Sequence, residues 1–94
     1  MTLRDLAKLD GRVYISFASK DLAKQFQYQA EKEGFTFRDG AKPSKREMGH
    51  VMALNPDLTI NYVGAVGMIA FGSGAKEINQ KRLIRVEYTG EVEA

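Results

Sequence analysis

One segment constrains the fold more than any other: "SKDLAKQFQYQAEKEGF", residues 19–35. Ser19 can accept hydrogen bonds from the free amides of a first helical turn, and Asp21 suits the positive end of the helix dipole. Leu22, Ala23, Phe26 and Ala30 recur at helical spacing and form one apolar stripe, while Lys20, Lys24, Gln27 and Glu31 are expected to face water. Gly34 is placed for a left-handed C-cap, and Phe35 follows where such a cap makes its hydrophobic contact. A helix with one apolar stripe needs a flat apolar surface to lie on.

The flanking segments supply that surface. In "RVYISFA", Val13, Ile15 and Phe17 alternate with Tyr14 and Ser16, which is the period of a strand, and Tyr14 on the alternate face points to an interior position. After the helix, "FTF" reads as a short strand closed by the turn signal Asp39-Gly40. Residues 39–50 then form a polar loop containing Pro43. "HVMALNPDLTINYVG" reads as a hairpin turning at Asn55-Pro56-Asp57, where proline presets the turn and Asn and Asp bond their own backbone. "GMIAFG" is expected to be a further strand or a tight apolar turn. "RLIRVEYTG" alternates again, with Leu83, Arg85 and Glu87 on one face and Ile84, Val86 and Tyr88 on the other. Upstream, Thr2 to Leu9 can form a short helix with capping-box spacing between Thr2 and Asp5 and Gly11 to end it. The expected architecture is a single small α+β domain over residues 1–94. Its mostly antiparallel sheet has four to five strands in β-α-β-β-β order, covered by one long helix.

Size and composition bound the function. With 94 residues the chain has room for one modest core, and a chain this small buries only about 60–65% of its unfolded surface, so a homo-oligomer is expected. Cysteine is absent, which removes disulfides, thiolate metal sites and thiol nucleophiles and fits a reducing cytoplasm. "MTLRDLAKLDG" is too short and too charged for a signal peptide, and the apolar run "AVGMIAFG" is too short to span a bilayer. A cytoplasmic protein with no membrane partner is the expectation. A formal charge of +2 lacks the clear basic excess of most nucleic-acid domains. The distribution says more: "RDGAKPSKR" gathers Arg38, Lys42, Lys45 and Arg46 around a single acid, "KRLIR" adds Arg82 and Arg85, and the terminal "GEVEA" is acidic.

No catalytic set emerges. His50 is the one histidine, and the carboxylates are scattered over the helix face and the tail, so neither a metal site nor an acid–base pair is expected. The stretch "TINYVGAVGMIAFGSG" holds four of the nine glycines. Its "GSGAKE" lacks the third glycine and the βαβ frame of a dinucleotide fingerprint. Its "GAVG" has Ala and Val where a GXXG nucleic-acid clamp favours basic insertions. These glycines are expected to allow turns and close packing. Asn61 and Tyr62, in contrast, offer an amide and a stacking ring for a pocket wall.

"VYISFASKDLAKQFQYQAEKEGFTFRDGAKP" followed by "ALNPDLTINYVGAVGMIAFGSG" resembles short α+β proteins encoded by phages and integrated mobile elements of Gram-positive bacteria. The likeness runs from about Arg12 to Tyr88. It rests on the helix-cap phrase, on "GFTFRDGAKP" and on "LNPDLTINYVG", none of which is a catalytic signature. It implies a protein that blocks host defence in the host cytoplasm, by occupying an effector protein or by sequestering a nucleotide signal.

Taken together, these features predict a non-enzymatic binder of a small anionic ligand such as a nucleotide, without cofactor or metal. The expected ligand-binding residues are Arg38, Lys42, Lys45, Arg46, His50, Asn61, Tyr62, Arg82 and Arg85. The alternatives are direct blockade of a host defence protein, or weak nucleic-acid binding through the same basic loop.

Overall fold

In the computed structural model, which describes residues 1–90, a six-stranded mixed sheet carries helices on both faces. The elements in chain order are α1 (Leu3–Ala7), β1 (Arg12–Phe17), α2 (Lys20–Lys32), β2 (Thr36–Phe37), β3 (Val51–Leu54), β4 (Thr59–Tyr62), α3 (Ala65–Gly72), β5 (Glu77–Ile78) and β6 (Lys81–Tyr88), with a 3₁₀ turn at Pro43–Lys45. The strand order is β2-β4-β3-β1-β6-β5. The α+β class agrees with the sequence, whereas the expected single covering helix and four to five mostly antiparallel strands do not.

The reason lies in how the helices return the chain. A parallel pair needs a crossover, and a helix is the usual one. The 13 residues of α2 carry the chain roughly 20 Å back from the end of β1. Strand β2 therefore starts again in the direction of β1, and it pairs parallel with β4 at the sheet edge. The β3–β4 hairpin fills the gap between them, β3 lying antiparallel to both β1 and β4. A second return is made by α3, the segment expected to be a strand or turn, together with β5, which pairs antiparallel with β6, so that β6 runs parallel to β1 with Val13 opposite Ile84 and Ile15 opposite Val86.

The larger core lies on the α1/α2 face, where Val13, Ile15, Met52, Leu54, Ile60 and Tyr88 meet Leu3, Phe26, Ala30 and Phe35. Phe26 packs edge-on to Tyr88 at 5.7 Å and tilts against Phe17 at 4.9 Å. The caps read from the sequence are present. Ser19 Oγ accepts from the Leu22 amide, and Gly34 has φ +92° with the Phe35 amide donating to Ala30 O. The capping box is complete, Thr2 Oγ1 accepting from the Asp5 amide while Asp5 Oδ2 accepts from the Thr2 amide. A polar thread running from the core out to the surface joins these parts. Tyr88 Oη donates to Gln29 Oε1, Gln29 Nε2 donates to Glu33, and the Glu33 carboxylate accepts the amides of Leu3 and Arg4 at the start of α1.

The opposite face is smaller. Tyr14, Val51, Ala53, Ile78 and Leu83 meet Val63, Ala70 and Phe71. Gly67 is what lets α3 settle there: a Cβ at this position would stand 2.6 Å from Val63 Cγ1 and 2.8 Å from Tyr14 Oη.

Candidate functional site

The 39–50 loop is tied down by the helix face that the sequence assigned to water. Gln27 Nε2 donates to the carbonyls of Pro43 and Arg46, and Glu31 Oε1 accepts from both the amide and the hydroxyl of Ser44. Those bonds draw the Glu31 carboxyl below its ordinary value, the Ser44 hydroxyl first and its amide second, with Lys42 and Lys45 nearby adding to the effect. At the start of the loop the chain reverses tightly: the Gly40 amide donates to Phe37 O, with Gly40 at φ +89°, and the Ala41 amide donates to Asp39 Oδ1. The polar positions of α2 thus act as a rack for the loop.

That rack brings Arg46 over the end of β2. Its guanidinium lies 4.8 Å from the centroid of the Phe37 ring and donates to Asp39 Oδ2. Tyr62, at the end of β4, places its ring 5.6 Å from that of Phe37 at 31°, and its hydroxyl donates to Glu47 O at 2.7 Å. Phe37 is buried, whereas the Tyr62 side chain is 49% exposed. Together Phe37, Arg38, Asp39, Arg46, Asn61 and Tyr62 line a shallow depression of about 300 Å³. Arg46 lowers the Asp39 carboxyl, helped by the Ala41 amide, and Asp39 in turn raises the Arg46 guanidinium. On the neighbouring turn the Thr59 hydroxyl does most to lower Asp57, and the charge of Arg38 contributes as well.

Four of the nine sequence-predicted residues therefore share one place: Arg38, Arg46, Asn61 and Tyr62. Asn61 serves there as a brace, because its Oδ1 accepts from buried Asn55 and its Nδ2 donates to Tyr62 O. Lys42 and Lys45 project from the 3₁₀ turn beside Glu31. His50 lines a separate cavity of about 360 Å³ with Ser19, Lys20 and Met48. Arg82 lies at another opening, of about 590 Å³, with Lys8 and Gln80.

Arg82 and Arg85 could add to the basic loop only if the last strand lay beside it, and the topology sets them apart from it. Strand β6 is separated from β4 by β3 and β1, roughly 14 Å across the sheet. Arg85 instead closes the C-terminal end of α3, donating from Nη2 to Ala70 O at 2.9 Å and from Nε and Nη2 to Phe71 O, with its guanidinium over the Phe71 ring. Two members of the site carry little signal in the sequence alone. Phe37 had only strand alternation to mark it, and Asp39 read as half of a turn.

Among the described residues no group of three or more His, Asp or Glu side chains could hold a metal ion, and no helix is long and apolar enough to cross a membrane. No protein-family model, curated protein or solved structure matches the chain.

Proposed function

We propose that this protein is a non-enzymatic binder of a small anionic ligand that carries a planar ring, of the nucleotide class, seated at the Phe37–Arg46–Tyr62 depression. One observation carries the reading: residues far apart in sequence converge there on one aromatic ledge with two guanidinium groups at its rim. The chemistry fits such a ligand. A half-exposed tyrosine ring offers a stacking face, and a guanidinium offers a planar fork of donors matched to phosphate. Asp39 holds the Arg46 fork in place in the free protein and is the group that an incoming phosphate displaces. Sequestering a nucleotide immune signal, the role that the resemblance to phage and mobile-element proteins implies, requires this kind of chemistry and no catalysis.

Calorimetric titration with a panel of mononucleotides and cyclic dinucleotides tests the reading. The expected result is saturable binding that weakens tenfold or more, about 1.4 kcal/mol, in Arg46→Ala and in Tyr62→Ala. Absence of binding across the panel, or equal binding by both variants, removes the proposal. Binding to single-stranded nucleic acid that collapses with added salt would replace it with the basic-loop alternative.

A further inference from the structure

Three turns meet at the end of the sheet where β1, β4 and β6 begin: the α1–β1 loop at residues 8–11, the β3–β4 turn at Pro56 and the β5–β6 hairpin at residues 80–82. Between them lies an opening of about 590 Å³. Lys8, Lys81 and Arg82 line it, with Asp10 as the single acid. Elsewhere in the molecule Arg4, Arg12, Arg46 and Arg85 each donate to a carbonyl, an amide oxygen or a carboxylate. Among the described residues the side chains of Lys8, Lys81 and Arg82 make no hydrogen bond or ion pair, although Asp5, Asp10 and Glu77 are their neighbours. The opening thus gathers three uncompensated cations from two separate turns.

The backbone around these charges is fixed. Gly11, at φ +149°, sets the α1–β1 loop directly against β6, and a Cβ there would stand 2.4 Å from Arg82 O. Arg12 Nη1 donates to Asn55 Oδ1 and ties the β3–β4 turn to the start of β1. Asn79 and Gln80, at φ +51° and +65°, form the turn between the paired residues Ile78 and Lys81. A two-residue turn of this left-handed kind favours glycine at its second position. Here that position is Gln80, which lines the opening. A glycine would relax the turn and take the amide away from the opening.

We propose that this opening binds a short chain of phosphoryl groups between Arg82 and Lys8, with Lys81 at its mouth. Alternation puts Arg82 on the face of β6 that carries Ile84, the face that α1 covers. Arg82 and Lys8 therefore stand on the same side of the sheet. A guanidinium offers phosphate oxygens a planar fork of donors, and an ammonium adds a compact charge. Linked phosphates answer several separated cations at once, which a single anion does not. No aromatic ring lines the opening, so it selects for charge rather than for a base, unlike the depression beside Phe37. Free oligophosphate and the phosphate tail of a nucleotide share this chemistry. The cationic side chains are exposed, so dissociation is expected on the order of 0.1–1 mM at low salt.

Amide chemical shifts test the proposal, recorded at low ionic strength without divalent cations while pyrophosphate, tripolyphosphate or adenosine triphosphate is added. The expected result is saturable movement of residues 8–11 and 80–82, with affinity lowered about fivefold or more by Lys8→Ala and by Arg82→Ala. Neither side chain bonds to the rest of the fold, so both variants are expected to melt like wild type. Gln80→Gly is expected to melt at a higher temperature and to bind less tightly, a combination that a purely structural turn does not produce. Arg46→Ala and Tyr62→Ala are expected to leave this binding unchanged, which keeps it separable from the site beside Phe37. Equal affinity for tripolyphosphate and adenosine triphosphate identifies the phosphoryl chain itself as the ligand, and tighter binding of the nucleotide identifies a nucleotide tail. Shifts that never saturate, that sulfate at equal ionic strength reproduces, or that persist unchanged in both alanine variants overturn the proposal.

Discussion

The two faces of the sheet are covered by helices built on opposite plans. On one, α2 has a side-chain cap at its start and a glycine cap at its end, buries Phe26 and Ala30, and spends its polar positions on Pro43, Ser44 and Arg46 of the neighbouring loop. On the other, α3 starts from Gly64 without a side-chain cap, carries no charge, and is held at its far end by Arg85 from the sheet. The first face is a closed core with a charged, tightly tied margin. The second is a thin core under an uncharged exterior. Chemistry able to hold an anion lies beside the first.

The comparison breaks most visibly if equal truncations cost the same on both sides. Phe26 is fully buried between Phe17 and Tyr88, so Phe26→Ala is expected to cost about 3–5 kcal/mol and to lower the melting temperature by well over 10 °C. Phe71 is half-buried, and Phe71→Ala is expected to cost about half as much. Urea denaturation of the two variants decides the matter, and equal losses would show that the α3 side is as much a core as the other.

A smaller effect separates two glycines of the same helix. Gly67→Ala brings a Cβ against Val63 and the Tyr14 hydroxyl, and lifting α3 off the sheet is expected to cost about 1–3 kcal/mol in spite of alanine's better helix propensity. Gly72 has no heavy atom within 4 Å of the corresponding position, so Gly72→Ala is expected to gain about 0.5 kcal/mol. Thermal unfolding measures both. Amide chemical shifts should place the Gly67→Ala disturbance on α3, β1 and β6, leaving α2 unmoved.

How far the sequence carried depended on whether the signal was local. The caps of α1 and α2, the Asn55–Thr59 hairpin and the alternation of β1 and β6 are set by neighbours in the chain, and each was readable. Strand order was not. The connection from β4 to β6, which gives β1 its parallel neighbour, runs through α3 and β5, and "AVGMIAFG" is apolar at almost every position, so neither a helical nor a strand period stands out. The candidate site was half legible for a related reason. Arg38, Arg46 and Tyr62 announced themselves by type, but their shared platform, Phe37, became visible only when β2 paired with β4 at Thr36–Thr59 and Phe37–Ile60. Arg82 and Arg85 looked equivalent to them because residue type carries no information about distance across a sheet.

Acidification should sharpen the contrast most gently. Asp39 is held below its ordinary value of 3.8 chiefly by Arg46, and Glu31 is held below 4.5 chiefly by the Ser44 hydroxyl. A carboxyl that is lowered in the folded chain stabilises it at every pH above the unfolded value. The contribution fades as pH falls through the folded value. Loop residues 39–46 are therefore expected to keep their chemical shifts from neutral pH down to about 4.5 and to change below that. Asp39 and Glu31 are both open to solvent, so the change should be modest and should shrink further in high salt. Between Gly64 and Ala75 no side chain titrates. The cap on α3 is an arginine bonded to carbonyls. Its amides should hold their shifts across the same titration, and Asp39→Asn should flatten the response of the loop. Equal movement of both regions would mean that acid acts on the shared sheet, and the loop's separate attachment to α2 would lose its support.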